Sequence, residues 1–344
     1  STGEFDVIDL IVAGGGPGGL ATAIYAAQAG LEAVVIERRS GPIDKACGEG
    51  LMPHTVKHLR NIGVNPHGKA FRGITYLDST HRVRANFRSG EGLGMRRTAL
   101  SEALHDAASG AGVRILHADI GTVSQDASSV RCGDLQARYL AAADGLHSPI
   151  RRSLGLDLPS RGRRRWGIRR HYQIAPWSDT VEVHWAHDTE AYVTPVAEDS
   201  VGVAVLTSRQ GKFNDQLDAF PALAARLRSA AHGPDRAAGP LRQRVKSRTV
   251  GRVMLVGDAA GYVDALTGEG LGIAFGGAEL LVKCAVADSP AEYDRQWRQM
   301  SRRYRALTAG LLHTSGFAPA RSMIVPAASA LPKAFSGIVN LLAY

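Results

Sequence analysis

Cysteine is scarce in this chain: Cys47, Cys132 and Cys284 are the only three in 344 residues. Odd in number and far apart, they suit neither a disulfide framework nor a metal-ligand spacing, so no metal site is expected and a reducing cytoplasm is the expected setting. Long apolar runs are missing too. No window reaches the roughly 18 to 20 uncharged apolar residues of a spanning helix. Glu4, Asp6 and Asp9 stand where a secretory leader would carry its basic start. Acidic residues are outnumbered, 32 against 41 Lys and Arg, for a net charge of +9. Much of that excess lies in Arg151, Arg152, Arg161, Arg163, Arg164, Arg165, Arg169 and Arg170. Nucleic-acid binding would call for aromatics interleaved with those arginines and a known module; only Trp166 and Tyr172 are near. No nucleic-acid partner is expected, which leaves a solvated basic face or a means of attracting an anionic substrate or the phosphates of a nicotinamide.

What the sequence has in quantity is glycine, 39 residues, within a chain that is 44% hydrophobic and apolar-periodic almost throughout. Leu10–Ala13 is an apolar run ending at Gly14, as a buried parallel strand should. Pro17–Ala29 predicts a helix, with Pro in its first turn and Gly30 beyond its end. Ala33–Ile36 is a second strand, so the chain opens with a βαβ unit. Further on, Thr98–Ala108, Ala219–Ala231 and Ala291–Leu307 predict helices, and Arg114–Ala118, Leu140–Ala143 and Arg252–Val256 predict strands. Between Trp166 and Leu206 the texture changes to short β-branched and aromatic strands: Trp166–Ile174, Val181–Trp185, Ala191–Thr194 and Val201–Leu206. The fold class expected is α/β: a Rossmann-like nucleotide-binding domain with an inserted, mainly antiparallel sheet and a C-terminal helical segment.

Gly14, Gly16 and Gly19 form G-x-G-x-x-G between the first strand and helix. The first permits a tight turn, the second close approach of a pyrophosphate, and the third helix–strand packing. The helix N-terminus then offers free N–H groups to the phosphates. Glu37, ending the second strand with Arg38 beside it, can accept hydrogen bonds from a ribose diol and repel a 2′-phosphate. That points to FAD or NAD. A second strand end, Gly257-Asp258, and a glycine-rich helix start, Gly268, Gly270 and Leu271, then favour FAD. Asp258 can hold a ribityl hydroxyl, and the helix start can face the ring and stabilise the negative charge of the reduced flavin.

Four features in this order, Gly14–Gly19 with Glu37, Arg97-x-x-Leu100, Asp144-Gly145-x-x-Ser148-x-x-Arg151 and Gly257-Asp258, resemble a known FAD-dependent family. It contains para-hydroxybenzoate hydroxylase-type monooxygenases, flavin-dependent halogenases and geranylgeranyl reductases, and the resemblance spans roughly residues 8–300. It implies that Arg97 contacts the FAD near its pyrophosphate or ribityl chain, and that Asp144 supports flavin binding and nicotinamide access. Cys47-Gly48-Glu49-Gly50-Leu51 resembles the segment that the reductases place beside the flavin ring, and Asp264–Gly270 resembles their helix start, with Ala265 where proline is usual. Tyr192-Val-Thr-Pro195, however, lacks the tryptophan and phenylalanine of the reductase strand. Trp166-Gly-Ile168 lacks the halogenases' second tryptophan, which argues against a halogenase.

No nucleophile–base pair emerges, as expected where the cofactor carries the chemistry. His171, His184 and Tyr192 on the inserted sheet, and Cys47, are the candidate catalytic side chains, though each also suits a solvent-facing or packing role. The expected activity is an FAD-dependent monooxygenase, reduced by NAD(P)H and acting on an aromatic, polycyclic or prenylated small molecule. A reductase of isoprenoid C=C bonds and a non-catalytic FAD-fold carrier are the alternatives. The expected division is residues 1–74, 96–160 and 246–300 for FAD, 75–95 and 161–245 for substrate, and 301–344 as the C-terminal segment. From Ala306 onward only Arg321 and Lys333 are charged, and prolines 319, 326 and 332 prevent one long helix. That segment is expected either to close the substrate cavity or to make peripheral contact with a membrane.

Overall fold

The computed structural model describes residues 8–344, so Glu4 and Asp6 lie outside the described residues. The strand Ile8–Ala13 pairs in parallel with Ala33–Ile36 on one side and Leu135–Ala142 on the other. Arg114–Leu116 and Val253–Leu255 extend the parallel run outward. Both faces of these strands are covered, which is why they read as unbroken apolar stretches: Leu10, Ile11, Val34 and Val35 are wholly buried. Helix Pro17–Gln28 packs between this sheet and helix Gly270–Val286. Small residues line the contact, and a Cβ on Gly18 would lie at ordinary van der Waals distance, 3.6 Å, from that of Ala274.

A second sheet of seven strands runs in the order Arg236–Ala238, Trp166–Tyr172, Ser200–Thr207, Thr189–Ala197, Val181–Trp185, Gly73–Leu77, Arg82–Asn86. It is antiparallel except where Val181–Trp185 meets Gly73–Leu77. Its two central strands sort their side chains by period two. Ala191, Val193, Val203 and Val205 pack toward the short helices Phe213–Leu217 and Pro221–Leu227, while Tyr192, Thr194, Ala204 and Leu206 face the first sheet.

Two of the expected helices differ in extent. The helix expected over 219–231 is shorter, Pro221–Leu227, and it starts late because Pro221 lacks an N–H and disfavours helical geometry at Phe220, which has φ −127°. The charged helix runs on to Ser315, carried past Leu307 by Leu311 and Leu312. The C-terminal segment continues as Ala318–Arg321, Ile324–Ala330 and Pro332–Ala343, with a bend of 103° before Pro332. No single helix among the described residues is long and apolar enough to cross a membrane.

Candidate active site

Between the two sheets lies a cavity of about 700 Å³, within the range of small-molecule sites. The glycine turn opens onto it. Gly14 has φ +116°, and a Cβ there would sit 2.3 Å from the Ala143 carbonyl oxygen; one on Gly19 would sit 1.9 Å from the Gly14 oxygen. Protein packing alone forces those two glycines. Gly16 is different, because a Cβ there would meet nothing within 4 Å and would project into the cavity. The same is true of Gly48, Gly257 and Gly268 around the cavity wall. Gly257 and Gly268 also have φ of +65° and +71°, which favours glycine by itself, so Gly16 and Gly48 are the two kept bare where neither packing nor backbone conformation asks for it.

Polar groups gather on the same side. The Nε and Nη1 atoms of Arg97 are buried without a hydrogen-bond partner among the described residues, in a side chain that lines the cavity. Lys45 and Asp258 line it too, and burial pulls the Lys45 ammonium below its ordinary range while Asp258 opposes that shift. Arg38, Cys47, Asp144, Gly270 and Leu271 complete the expected residues that border it. Glu37 stands one layer back. Its carboxylate accepts the Gly15 N–H at 2.9 Å and the Arg39 N–H at 3.0 Å, and these bonds outweigh burial to hold it below the usual carboxylate range. Asp144 borders the cavity but spends its oxygens locally, on the Ser148 hydroxyl at 2.5 Å and the Ile150 N–H at 2.9 Å. An orphaned guanidinium, a helix N-terminus and bare backbone along one wall fit a long, doubly phosphorylated cofactor.

The expected catalytic side chains divide. His171 and His184 do not line the cavity. His171 Nε2 is bonded to Glu49 at 2.6 Å, and His184 Nε2 to Glu182 at 3.1 Å with its ring edge-on to Phe220. Both are mostly buried, so neither is the solvent-facing residue their alternation suggests. Tyr192 does face the cavity, but its hydroxyl donates to the Leu266 carbonyl at 2.7 Å and burial pushes its pKa far up. Cys47 is at the wall as well. Burial raises its thiol, the reverse of what a reactive thiolate needs.

The sequence matches the FAD binding domain family model over residues 6–284. The chain belongs to that family. FAD is therefore its cofactor, and oxidoreductase chemistry its class of activity. Among its relatives is a menaquinone reductase of Mycobacterium tuberculosis (strain ATCC 25618 / H37Rv), 28% identical over 310 residues that cover 77% of this chain and 73% of that protein. Another is a digeranylgeranylglycerophospholipid reductase of Methanosarcina acetivorans, 26% identical over 296 residues, covering 77% and 72%. Of solved structures, p-nitrophenol 4-monooxygenase from Pseudomonas putida DLL-E4 superposes with a TM-score of 0.81 over 98% of both chains at 18% identity, a likeness of fold.

Sequence reasoning missed the apolar part of the wall. Phe71, Ile74 and Tyr76 come from short strands whose pattern is too brief to read, whereas Val339 and Leu342 come from the C-terminal segment that was expected to close the cavity. It also passed over Glu49, although the flanking glycines of C-G-E-G mark an unusual backbone there.

Proposed function

We propose that this flavoprotein reduces an apolar, prenylated or polycyclic substrate, with NAD(P)H as the source of electrons. In this reading the pyrophosphate lies against Gly16 and the start of helix Pro17–Gln28, Arg97 and Asp258 hold the ribityl region, and Gly48 with the helix start at Gly270 borders the ring. Bound FAD supplies two-electron transfer between nicotinamide and substrate. The chain's own task is to bind an apolar molecule beside the ring and keep water out.

The observation that carries the reading is the lining of the substrate half. Phe71, Ile74, Val181, Val183, Leu206 and Leu266 dominate it, with Val339 and Leu342 closing it from the C-terminal helix. Its phenols, Tyr76, Tyr192 and Tyr262, are all pushed up by burial. They stay protonated at neutral pH and offer the cavity hydrogen-bond donors rather than bases. The menaquinone and digeranylgeranyl reductases among the relatives support the same choice. The oxygen-transfer reading keeps one point in its favour, the loss of the reductases' aromatic strand at Tyr192–Pro195.

Substrate entry fits the same helix. Its inner face carries Val339 and Leu342, while Ile338 and Leu341 on its outer face are half exposed, and Leu331, Met323 and Phe317 elsewhere in the C-terminal segment are exposed as well. A surface of that kind favours contact with a lipid phase holding the substrate. Anaerobic turnover of prenylated quinones, with products gaining two hydrogens, tests the reading.

A further inference from the structure

Glu49 lines the cavity, yet neither the family assignment nor the proposed chemistry gives it a role. It sits between Gly48 and Gly50 with φ +60°, left-handed backbone that costs a non-glycine residue about 1–2 kcal/mol. Glycine would serve that turn better. Something must offset the strain, and the side chain supplies it.

Three elements meet on its buried carboxylate. The backbone N–H of Arg97, first residue of helix Arg97–Gly110, donates to Oε1 at 2.8 Å. Oε2 lies 2.6 Å from His171 Nε2 on the strand Trp166–Tyr172. The Arg169 Nε is 3.7 Å from Oε1, and the same guanidinium binds Asp44 and the Lys45 carbonyl, at the other end of the cavity loop. The Glu49 backbone is engaged as well: its N–H donates to Cys47 Sγ at 3.4 Å and its carbonyl accepts the Met95 N–H at 2.9 Å. The strand opposite makes room, since a Cβ on Gly202 would lie 2.9 Å from Oε2.

Arg97 shows why this matters. Its Nε and Nη1 have no partner among the described residues, so nothing at the tip of the side chain fixes it. Its place is set from the backbone end, and there the carboxylate of Glu49 holds the N–H. We infer that Glu49 is a positioning residue that sets Arg97 and the Cys47–Gly48 backbone against the flavin, with His171 and Arg169 as its fixed base. This rests on FAD occupying the cavity as proposed above.

Glu49→Gly separates this role from a structural one, because it relieves the left-handed strain while removing the carboxylate. The expected result is a folded apoprotein melting somewhat below wild type, because relief of the strain offsets only part of the lost buried contacts, with an FAD dissociation constant raised about tenfold or more and a visible flavin band that loses its shoulders. Glu49→Gln, which keeps an acceptor for the Arg97 N–H, should recover most of the affinity. His171→Leu should weaken FAD in the same direction by less, and it serves as the readout should Glu49→Gly fail to fold. Wild-type affinity and spectrum in Glu49→Gly, or in His171→Leu if that is the variant available, would overturn the inference. Arg97→Ala distinguishes the two levels of the argument. If it leaves FAD affinity unchanged, the placement of the cofactor is wrong; if it weakens FAD while Glu49→Gly does not, only the role of Glu49 is lost.

Discussion

Arg321 and Glu190 meet in the interior, guanidinium Nη1 to carboxylate Oε1 at 2.5 Å, and join the C-terminal segment to the middle of the substrate sheet. Glu190 is wholly buried and Arg321 nearly so. Arg165 holds the other oxygen of Glu190 and, 3.2 Å away, Asp264 in the loop before the cavity helix. Arg321 also donates to the carbonyls of Ala186 and Thr189. The segment is thus fastened by a desolvated charge network, and the last helix can cover the cavity from a firm base.

Arg321→Ala should destabilise the protein by about 3–5 kcal/mol, because it strands one oxygen of a buried carboxylate. Deleting residues from Gly310 onward removes the same partner and should cause aggregation or loss of FAD. Thermal unfolding checks both. A truncated chain that stays folded and yellow would mean the network does not carry the segment's weight.

Asp264 gives the network a pH dependence. Burial pushes its carboxyl up to about 6, against the pull of Arg165, whereas in the unfolded chain it titrates near about 3.9. Between those values the folded state keeps a proton that the unfolded chain has lost. Its contribution is therefore fully present below about 4 and is lost as pH rises through about 6, a swing of about 3 kcal/mol. On going from pH 7.5 to 5, the wild type should gain melting temperature relative to Asp264→Asn. A constant gap between the two proteins over that range would contradict the assignment.

The glycine turn separates folding from binding. Gly16→Val should leave the fold intact and abolish FAD retention, since its side chain enters only cavity space. Gly14→Ala should instead cost at least about 1–3 kcal/mol of stability, from the positive φ and the contact with Ala143. Flavin absorbance after gel filtration, alongside a melting curve, distinguishes the two. A yellow Gly16→Val protein would remove the pyrophosphate from that turn.

Much of this was legible in the sequence where the physics is local. The N-terminal βαβ unit announces itself because buried parallel strands need unbroken apolar runs and the turn needs glycines at fixed spacing. The strands at 33–36 and 181–185 fall at their predicted bounds. Long-range pairing left no such mark. The strand Gly50–Leu51 has two residues and shows no period, and nothing in Ile338–Leu342 says which face turns inward. The site divides the same way. The glycines and Arg97 were readable as motif positions, whereas His171 and His184 were readable only as histidines on strands. Their partners, Glu49 and Glu182, decide what they do: one is 122 residues distant in the chain, and the other needs the sheet's facing to interpret.

The outer face of the last helix yields a prediction separable from catalysis. Changing Ile338 and Leu341 together to Ser should lower binding to anionic lipid vesicles severalfold, while FAD content and melting temperature stay near wild type. Vesicle co-sedimentation measures it, and unchanged sedimentation would rule out this face as the point of lipid contact.

The central claim, reduction of an apolar substrate at a flavin held in this cavity, is tested most directly by product mass under two atmospheres. The protein, loaded with FAD and supplied with NAD(P)H, is offered a panel of prenylated quinones and polycyclic compounds without oxygen and, in parallel, under ¹⁸O₂. The account predicts products two hydrogens heavier, formed at least as well without oxygen and free of ¹⁸O. A product that appears only under ¹⁸O₂ and carries the label would contradict it and establish oxygen transfer instead.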